Sequence, residues 1–382
     1  MSGWREGTLS EVAEIIMGQS PIGKTCNSSG VGIPLLNGPT EFGIKFPSPV
    51  QFTTDPKRIC ELNDILFCVR GSTTGRMNWA DQKYALGRGL AAIRHKAGNE
   101  YQYYVRGIID HNLPLLLTSA TGSTFPNVSR DQIEALEIQI PPRPVQKAIA
   151  AVLSSLDDKI DLLHRQNQTL ESMAATLFRQ WFVEEAQENW EEVAVGDYVE
   201  LNRASIDKSY PHKTIEYLDT GSLIEGKIEN LQLLTLDEAP SRAKRLVQHN
   251  DVLISTVRPD QKHYGIIKNP IENLVVSTGF CVFTCTKIDP HFIYLLLTSD
   301  EMTDYLHTIA EGSTSTYPSL KPSDIGAIVF QLPPDDRLRE FAIIAHNSWE
   351  KIEKNHIQIR TLEKLRDTLL PKLMSGEVRV EV

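Results

Sequence analysis

Arginine, serine and threonine share one glycine-rich stretch of this sequence, CVRGSTTGRMNW (68–79), which contains Arg70, Ser72, Thr73 and Arg76. Arginine can bind guanine through two parallel hydrogen bonds, and hydroxyl groups hydrogen-bond to phosphate oxygens. Glycine lets the backbone approach a ligand closely. The stretch therefore has the composition of a loop that contacts phosphates and base edges. An ordinary solvated loop is the alternative interpretation.

A second basic set occupies the other half of the chain, in SRAKR (241–245) and STVRPDQKHYG (255–265). Its members are candidates for the same chemistry: Arg242, Lys244, Arg245, Arg258, Lys262 and His263. Near the beginning of the chain, Gln19 in GQSP (18–21) and Lys24 complete the candidates, because glutamine can pair with adenine and lysine with phosphate. Solvated surface charge is again the alternative.

The composition indicates a globular protein of more than one domain, with 382 residues, 41% hydrophobic and 23% charged. We expect a cytoplasmic protein, because the start MSGWREGTLSEV lacks an apolar signal segment and five cysteines show no disulfide-like clustering. The net charge is −10, yet residues 1–143 carry 14 Lys+Arg against 13 Asp+Glu, whereas residues 186–334 carry 12 against 21. A nucleic-acid partner would therefore need local basic loops, and another chain would supply part of the positive surface.

The sequence repeats itself with an offset of about 190 residues. Matching phrases occur in the same order in both halves: NDILFCVR (63–70) with NDVLISTVR (250–258), Pro141-Pro142 with Pro333-Pro334, and TLESMAATL (169–177) with TLEKLRDTL (361–369). Collinear repeats of this kind indicate two copies of one unit. In each copy a globular part with short strand-like runs precedes a helical part.

Each helical part has apolar residues at alternating steps of four and three, which is the heptad seam of a coiled coil. The seam residues that we expect to pair or bind a partner are Ile149, Leu153, Leu156, Ile160, Leu163, Leu170 and Leu177 in the first copy, and Ile352, Ile359, Leu362 and Leu369 in the second. Asn167 and Asn355 also fall on the seam. They are either buried groups that set the register or partly exposed residues. By the seam alone, residues 1–190 should pair with a copy of themselves.

The predicted fold is therefore α+β with an internal two-fold repeat. Two β-rich mixed α/β domains span residues 1–143 and 186–334, and two long helices span residues 144–185 and 335–382. Since the second helix leaves its domain at once, it must run back antiparallel to bury its seam against the first.

Several phrases resemble one family, the specificity subunits of type I restriction–modification systems. PPRPVQKAIAAVLSSLDDKI (141–160) resembles the start of the family's first helical region and TLFRQWF (176–182) its end, while LLPKLMSGEVRV (369–380) resembles the end of the second. Two residues depart from the pattern. Val145 replaces a frequent acidic residue, and Leu338 replaces the glutamine that starts the helix in the second copy.

The resemblance implies two target-recognition domains that each recognise one half of a bipartite, asymmetric double-stranded DNA sequence. It implies two methyltransferase (modification) subunits carrying S-adenosylmethionine, which would dock on the helices and methylate adenine N6. A motor–nuclease (restriction) subunit using ATP and Mg²⁺ would join for cleavage, in a prokaryotic cytoplasm. This chain would itself be non-catalytic, with no cofactor and no bound metal.

Two other functions are considered. A coiled-coil adaptor with two protein-binding heads would have the same architecture. A stand-alone metal-dependent nuclease would use Asp64 with Asp81-Gln82-Lys83, a short pattern that recurs by chance. The sequence contains no phosphate-binding GxxxxGK[ST] motif, no glycine-rich S-adenosylmethionine loop and no zinc-like His/Cys spacing.

The helices offer a test of the implied geometry. One heptad inserted after Leu163 and another after Asn355 keeps the seam in phase and adds about 10 Å of helix at ~1.5 Å per residue. If the helices set the distance between the recognition domains, the unread DNA spacer should grow by about three base pairs, at ~3.4 Å per pair. Methylation of a library with fixed half-sites and random spacers would measure the preferred length. Retention of the original spacer would show that the helices do not set the distance.

Overall fold

The computed structural model of the chain describes residues 3–120, 126–313 and 318–381. The chain divides into two compact units. Unit 1 comprises residues 1–165 and 356–382, and unit 2 comprises residues 166–355. Each unit thus combines one globular half of the sequence with part of both long helices.

Unit 1 contains mostly short strands, which are β1 (Arg5–Thr8), β2 (Ala13–Met17), β3 (Cys26–Asn27), β4 (Ile33–Leu36), β5 (Gln51–Thr53), β6 (Ile59–Cys60), β7 (Ile65–Cys68), β8 (Met77–Trp79), β9 (Tyr84–Leu86), β10 (Leu90–His95) and β11 (Glu137–Ile140). Its helices are α1 (Leu9–Val12), α2 (Gln102–Thr118), α3 (Arg130–Glu134) and the first part of the long α4 (Arg143–Arg179), which continues as a π-helical turn (Gln180–Glu184). Short 3₁₀ turns lie at Gly23–Thr25, Pro39–Glu41 and Asn99–Tyr101.

One sheet forms the middle layer of unit 1, with strand order β2-β10-β7-β8. The side chains of β7 are all buried, and they alternate between two faces. Ile65 and Phe67 belong to the cluster that packs against the helices. Leu66 and Cys68 belong to a second cluster, against the sheet β3-β5-β4-β9-β6. A strand covered on both faces requires a continuous apolar run, and β7 has one, ILFC.

Unit 2 contains the strands β12 (Glu191–Ala194), β13 (Val199–Leu201), β14 (Thr214–Leu218), β15 (Leu223–Ile224), β16 (Lys227–Ile228), β17 (Gln232–Thr235), β18 (Ala243–Leu246), β19 (Val252–Ser255), β20 (Tyr264–Ile266), β21 (Leu274–Ser277), β22 (Phe280–Cys285) and β23 (Val329–Leu332). Its helices are α5 (Pro290–Thr298), α6 (Asp300–Glu311), α7 (Pro322–Gly326) and the first part of the long α8 (Asp335–Met374). Short 3₁₀ turns lie at Val195–Asp197, Thr220–Ser222 and Pro259–Gln261.

The two units share one topology. The order β2-β10-β7-β8 of unit 1 matches β13-β22-β19-β20 of unit 2, and the pair β1-β11 matches β12-β23. The remaining sheets agree in strand direction as well, because β4 runs parallel to β9 and β14 runs parallel to β21. Unit 1 adds the strand β3, and unit 2 adds the hairpin β15-β16. The predicted α+β fold with an internal two-fold repeat is confirmed.

The long helices run antiparallel where they pack together within each unit. In unit 1, Ile160 and Leu163 of α4 cluster with Ile359 and Leu362 of α8. In unit 2, Asn167 of α4 hydrogen-bonds to Asn355 of α8. Partners later in α4 thus lie earlier in α8, as an antiparallel pair requires.

The expected seam residues lie in three different environments. Ile149, Leu153 and Leu369 pack into the helix-covered core of unit 1, whereas Leu170, Leu177 and Ile352 pack into the core of unit 2. The cluster around Leu163 is formed by the two long helices alone. Leu156 is half-buried. Much of the seam therefore attaches the helices to the globular parts as well as to each other. Within the described ranges, no helix is both long and apolar enough to span a membrane.

Helix α2 meets both long helices at Gly107, within unit 1. A Cβ atom there would lie 2.8 Å from Leu153 Cδ1 and 3.2 Å from both Leu370 Cδ1 and Met374 Cε. Substituting Gly107→Leu should therefore destabilise the fold by about 1–3 kcal/mol through overpacking. Thermal or denaturant unfolding would measure the change, with the exposed His111→Leu on the same helix as control. Equal effects of the two substitutions would contradict close packing at Gly107.

Candidate nucleic-acid interface

Several loops of unit 1 meet at one end of its middle sheet. Strand β2 ends there and β10 begins there, since Met17 pairs with Ala91. Strand β7 also ends there and β8 begins there, since Phe67 pairs with Met77. Backbone hydrogen bonds join the loops, from Gly18 N to Leu90 O at 2.8 Å and from Val69 N to Gly89 O at 2.9 Å. The sheet therefore positions the loops after β2 and β7 beside the turn between β9 and β10.

Four exposed arginines lie at this end of the sheet, and we call them the arginine edge: Arg58, Arg70, Arg76 and Arg88. Arg58 joins the set because its carbonyl accepts a hydrogen bond from Leu86 N, at 2.9 Å. None of the four forms an ion pair within the described ranges. By contrast, Arg5, Arg94, Arg106 and Arg130 of the same unit each pair with a carboxylate. The arginine edge is thus a local surface of uncompensated positive charge.

Arg88 is held by a turn that only glycine can form. Cβ atoms at Gly87 and Gly89 would lie 2.7 Å from Asn37 Oδ1 and 2.5 Å from Asn37 O, respectively. Arg88 N also donates to Ser20 Oγ, at 3.4 Å. The backbone at Arg88 is consequently clamped between neighbouring loops, while its side chain remains exposed.

The loop between β7 and β8 is closed by its own hydrogen bonds. Thr74 Oγ1 donates to Gly71 O at 2.8 Å and lies 2.9 Å from Pro126 O. Gly71 and Gly75 have φ angles of 96° and 93°, which favour glycine. Arg70, Ser72 and Arg76 are exposed on this loop, whereas Thr73 is half-buried. The four candidate residues of this stretch therefore lie on one loop of the structure, as the sequence predicted.

The corresponding end of the unit 2 sheet carries Arg242 and Arg258. Arg242 O accepts a hydrogen bond from Thr278 N at 2.8 Å, and Thr256 N donates to Gly279 O at 2.8 Å. The bond from Thr256 to Gly279 matches the bond from Val69 to Gly89 in unit 1. Both arginines are exposed.

Arg70 and Arg258 end the two matching phrases NDILFCVR and NDVLISTVR, but they do not occupy equivalent positions in the two units. Arg70 forms a β-bridge with Asn127, and in unit 2 the matching bridge is made by Val257 with Ser319. Arg258 takes the place of Gly71, since Arg258 N donates to Pro318 O just as Gly71 N donates to Pro126 O. Its φ of 49° is left-handed, as at Gly71. The phrase NDVLISTVR is one residue longer than NDILFCVR, and this shifts the arginine by one position.

The other basic candidates of unit 2 differ in their surroundings. Lys262 Nζ bonds to Asp300 Oδ1 at 2.8 Å and lies 3.7 Å from Glu225 Oε1, and the hydrogen bond to Asp300 raises the pKa of Lys262. His263 Nδ1 lies 2.9 Å from Leu223 O. Both side chains are thus engaged within unit 2.

Two neighbouring basic residues of β18 differ in exposure. Lys244 is exposed, whereas Arg245 is half-buried and its Nε is buried without a hydrogen-bond partner in the described structure. Burial lowers the pKa of Arg245. The pairing of β18 with β21 is irregular between Ala243 and Arg245, and Lys244 is the residue without a partner on β21. This β-bulge explains why the adjacent basic residues have such different environments.

Gln19 and Lys24, the two candidates near the beginning of the chain, lie in different surroundings. Gln19 is exposed and joins the arginine edge, because its backbone N donates to Leu86 O at 2.9 Å. Lys24 is exposed in the 3₁₀ turn Gly23–Thr25, which is bonded to β5 through Thr54 N and Thr25 O. Arg58 and Arg88 were missed by the sequence analysis. The pattern Gly-Arg-Gly at 87–89 was the available signal for Arg88, while Arg58 has no local signal.

The acidic residues of the nuclease alternative are engaged elsewhere. Asp64 is buried, accepts from Arg94 Nε at 3.0 Å and Arg94 Nη2 at 2.7 Å, and accepts from Glu61 N at 2.8 Å. Asp81 accepts a hydrogen bond from Tyr84, and Lys83 pairs with Glu61. Across the described part of the chain, no group of three or more His, Cys, Asp or Glu side chains is arranged to hold a metal ion.

Comparisons with known proteins agree with this architecture. Residues 1–172 match the family model described as type I restriction modification DNA specificity domain. The type I restriction enzyme MjaIX specificity subunit of Methanocaldococcus jannaschii is 27% identical over 282 residues, which cover 68% of this chain and 65% of that protein. The HindI specificity subunit of Haemophilus influenzae is 28% identical over 184 residues, which cover 47% of this chain and 40% of that protein. The chain thus matches less than two thirds of the length of these relatives.

A solved structure shows the same fold over nearly the whole chain. The type I restriction–modification S subunit from M. genitalium superposes with a TM-score of 0.60 at 18% identity, covering 97% of this chain and 96% of that one. The protein is thus of the two-unit class in which a repeated α+β domain is joined to long helices. Residues 1–172 are thus similar to the DNA specificity domain of type I restriction–modification systems, and the chain is similar to specificity subunits of such systems.

The ion pair between the buried Asp64 and the half-buried Arg94, at the end of the middle sheet opposite the arginine edge, provides a stability test. Burial raises the pKa of Asp64, while Arg94 opposes this shift. Replacing Arg94→Met would leave the Asp64 carboxylate buried without its cation, which should cost about 3–5 kcal/mol. The double variant Asp64→Asn, Arg94→Met should recover part of this loss, as measured by denaturant unfolding. A single Arg94→Met variant as stable as the parent would contradict the assigned role of the pair.

Proposed function

We propose that this chain is the DNA-recognition subunit of a type I restriction–modification complex, and that each unit contacts one half of a bipartite, asymmetric site in double-stranded DNA. The observation that carries the proposal is the position of the exposed arginines at the same sheet end in both units. Arg70 and Arg88 occupy this end in unit 1, and Arg242 and Arg258 occupy it in unit 2.

The local charge of these edges answers the objection raised by the net charge of −10. The arginines of the unit 1 edge have no carboxylate partners in the described structure, so their guanidinium groups are available to phosphates and to guanine. Because these arginines stand on fixed loops, binding costs less ordering of the loop backbone than it would on a mobile loop. Unit 2 has fewer basic side chains available to DNA, because Lys262 is neutralised by Asp300 and Glu225.

The remaining parts of the complex belong to other chains in this proposal. Two modification subunits carrying S-adenosylmethionine methylate adenine N6, one for each half-site, and dock along α4 and α8. A restriction subunit supplies the ATP- and Mg²⁺-dependent motor and nuclease. This chain contributes recognition and no catalytic group, and it acts in the prokaryotic cytoplasm. The exposed apolar residues Leu162 and Met173 on α4, and Ile343, Ile357 and Leu365 on α8, support docking along the helices.

The two edges would contact different bases because their arginines stand on different loops. Unit 1 has Gly71 after β7 and Arg88 in the turn before β10, whereas unit 2 has Arg258 and Thr278 at these places. Moving a guanidinium from one loop to its neighbour changes which base pair it reaches. Different half-sites are therefore expected from one repeated topology.

Arginine substitutions test the proposed interface in the complex with the modification subunits. Arg88→Ala should weaken binding of the specific DNA by about 1–3 kcal/mol if Arg88 contacts a base. A phosphate contact would instead lower the slope of log affinity against log salt by about one. Arg70 and Arg258 should behave in the same way. Fluorescence anisotropy at several salt concentrations would measure both quantities.

The matched control is Arg130→Ala, because Arg130 is an exposed arginine of the same unit that pairs with Glu134. It should leave affinity and salt dependence unchanged. If Arg88, Arg70 and Arg258 behave like Arg130, the sheet ends are not the DNA interface. A chain that binds no DNA in any assembly would favour the protein-binding adaptor.

A further inference from the structure

Two buried asparagines meet between the long helices of unit 2. Asn355 Nδ2 donates to Asn167 Oδ1 at 2.7 Å. Asn167 is 5% exposed and Asn355 is 1% exposed. The other amide atoms, Asn167 Nδ2 and Asn355 Oδ1, are buried and have no hydrogen-bond partner among the described residues. An arrangement of this kind lowers stability relative to two apolar residues, so it calls for a reason other than stability.

Each long helix has one asparagine and one apolar residue in this region. The apolar residue comes first in α4, whereas the asparagine comes first in α8. With the offset of 192, Asn355 of α8 corresponds to Leu163 of α4, and Asn167 of α4 corresponds to Ile359 of α8. Leu163 and Ile359 lie in one apolar cluster of unit 1. Asparagine therefore meets asparagine, and apolar residue meets apolar residue, when α4 pairs with α8.

Pairing between like helices would destroy this match. If α4 packed against α4 of a second copy in the same antiparallel geometry, Asn167 would face Leu163 of that copy, twice by symmetry. If α8 packed against another α8, Asn355 would face Ile359, again twice. Each such contact buries an amide against an aliphatic side chain and removes its hydrogen bond. The expected penalty is roughly ten- to a hundredfold in the pairing equilibrium for each unmatched amide.

We propose that the Asn167–Asn355 pair selects the partner of each long helix, so that α4 pairs with α8 of the same chain and a second copy is rejected. The heptad seam alone does not make this choice, because Ile160, Leu163 and Leu170 would fit a copy of α4 as well as they fit α8. A polar residue at one seam position is known to specify partner and register at a cost in stability. This selection is independent of the proposed DNA recognition.

The test compares full-length variants refolded from denaturant over a wide range of protein concentrations. Oligomeric mass would be measured by size-exclusion chromatography with light scattering. The parent chain should refold to monomer at each concentration. The variant Asn167→Leu, Asn355→Leu should form dimers in a fraction that rises with concentration, at least several-fold above the parent.

Cross-linking would identify the helices that pair in these dimers. In a mixture of ¹⁵N-labelled and unlabelled chains, cross-links from Lys159 of one copy to Lys159 of another should appear only in the double leucine variant. The matched control is Gln168→Leu, Gln358→Leu, because both glutamines are exposed on the same two helices and lie off the seam. The control adds the same apolar groups and should remain monomeric.

Thermal unfolding provides a second, independent measurement. Asn167→Leu or Asn355→Leu alone should lower the Tm by about 2–4 °C, because the remaining asparagine loses its partner. The double variant should recover this loss or exceed the parent. The proposal is overturned if the two single effects simply add in the double variant. It is equally overturned if the double variant refolds to monomer as the parent does, or if the parent itself forms like-helix dimers.

Discussion

Burial of a central pair of strands on both faces is the constraint on which the rest of each unit depends. In unit 1, β7 and β10 alternate between a helix-covered cluster and a cluster against the second sheet. In unit 2, β19 and β22 do the same, with Ile254 and Leu253 on opposite faces. Such strands cannot slip by one residue, because a slip would move every side chain to the other face. The loops at their ends are therefore fixed in position.

Because the loops are fixed in position, the four arginines of the arginine edge form a defined surface. The turn that carries Arg88 is packed so closely against Asn37 that both flanking residues are glycine. The loop that carries Arg70 is closed by hydrogen bonds of Thr74 and Gly71. Four other arginines of unit 1, namely Arg5, Arg94, Arg106 and Arg130, are paired with carboxylates, so the arginine edge differs from them in its uncompensated charge.

The long helices serve two structural purposes at once. Their ends attach to the globular cores, through Ile149 and Leu153 in unit 1 and through Phe341 and Ala345 in unit 2. Their middle contains the apolar cluster around Leu163 and the asparagine pair, where helix meets helix alone. Stability thus comes mainly from the ends, while the choice of partner depends on a few residues between them.

The sequence by itself determined the repeat, the α+β class, the two long helices and the resemblance to one family, because these depend on patterns that are local or collinear. Arg70, Ser72 and Arg76 were also found there, since they share one short loop. Only the tertiary structure brought Arg58 and Arg88 beside them, because strand pairing joins segments that are distant in the chain. It also showed that Arg258 replaces Gly71 rather than Arg70, since an added residue shifts the alignment while the backbone bridges keep their places. Finally, tertiary contacts decided which basic residues are neutralised: Lys262 meets Asp300, 38 positions away, an ion pair that no local pattern encodes.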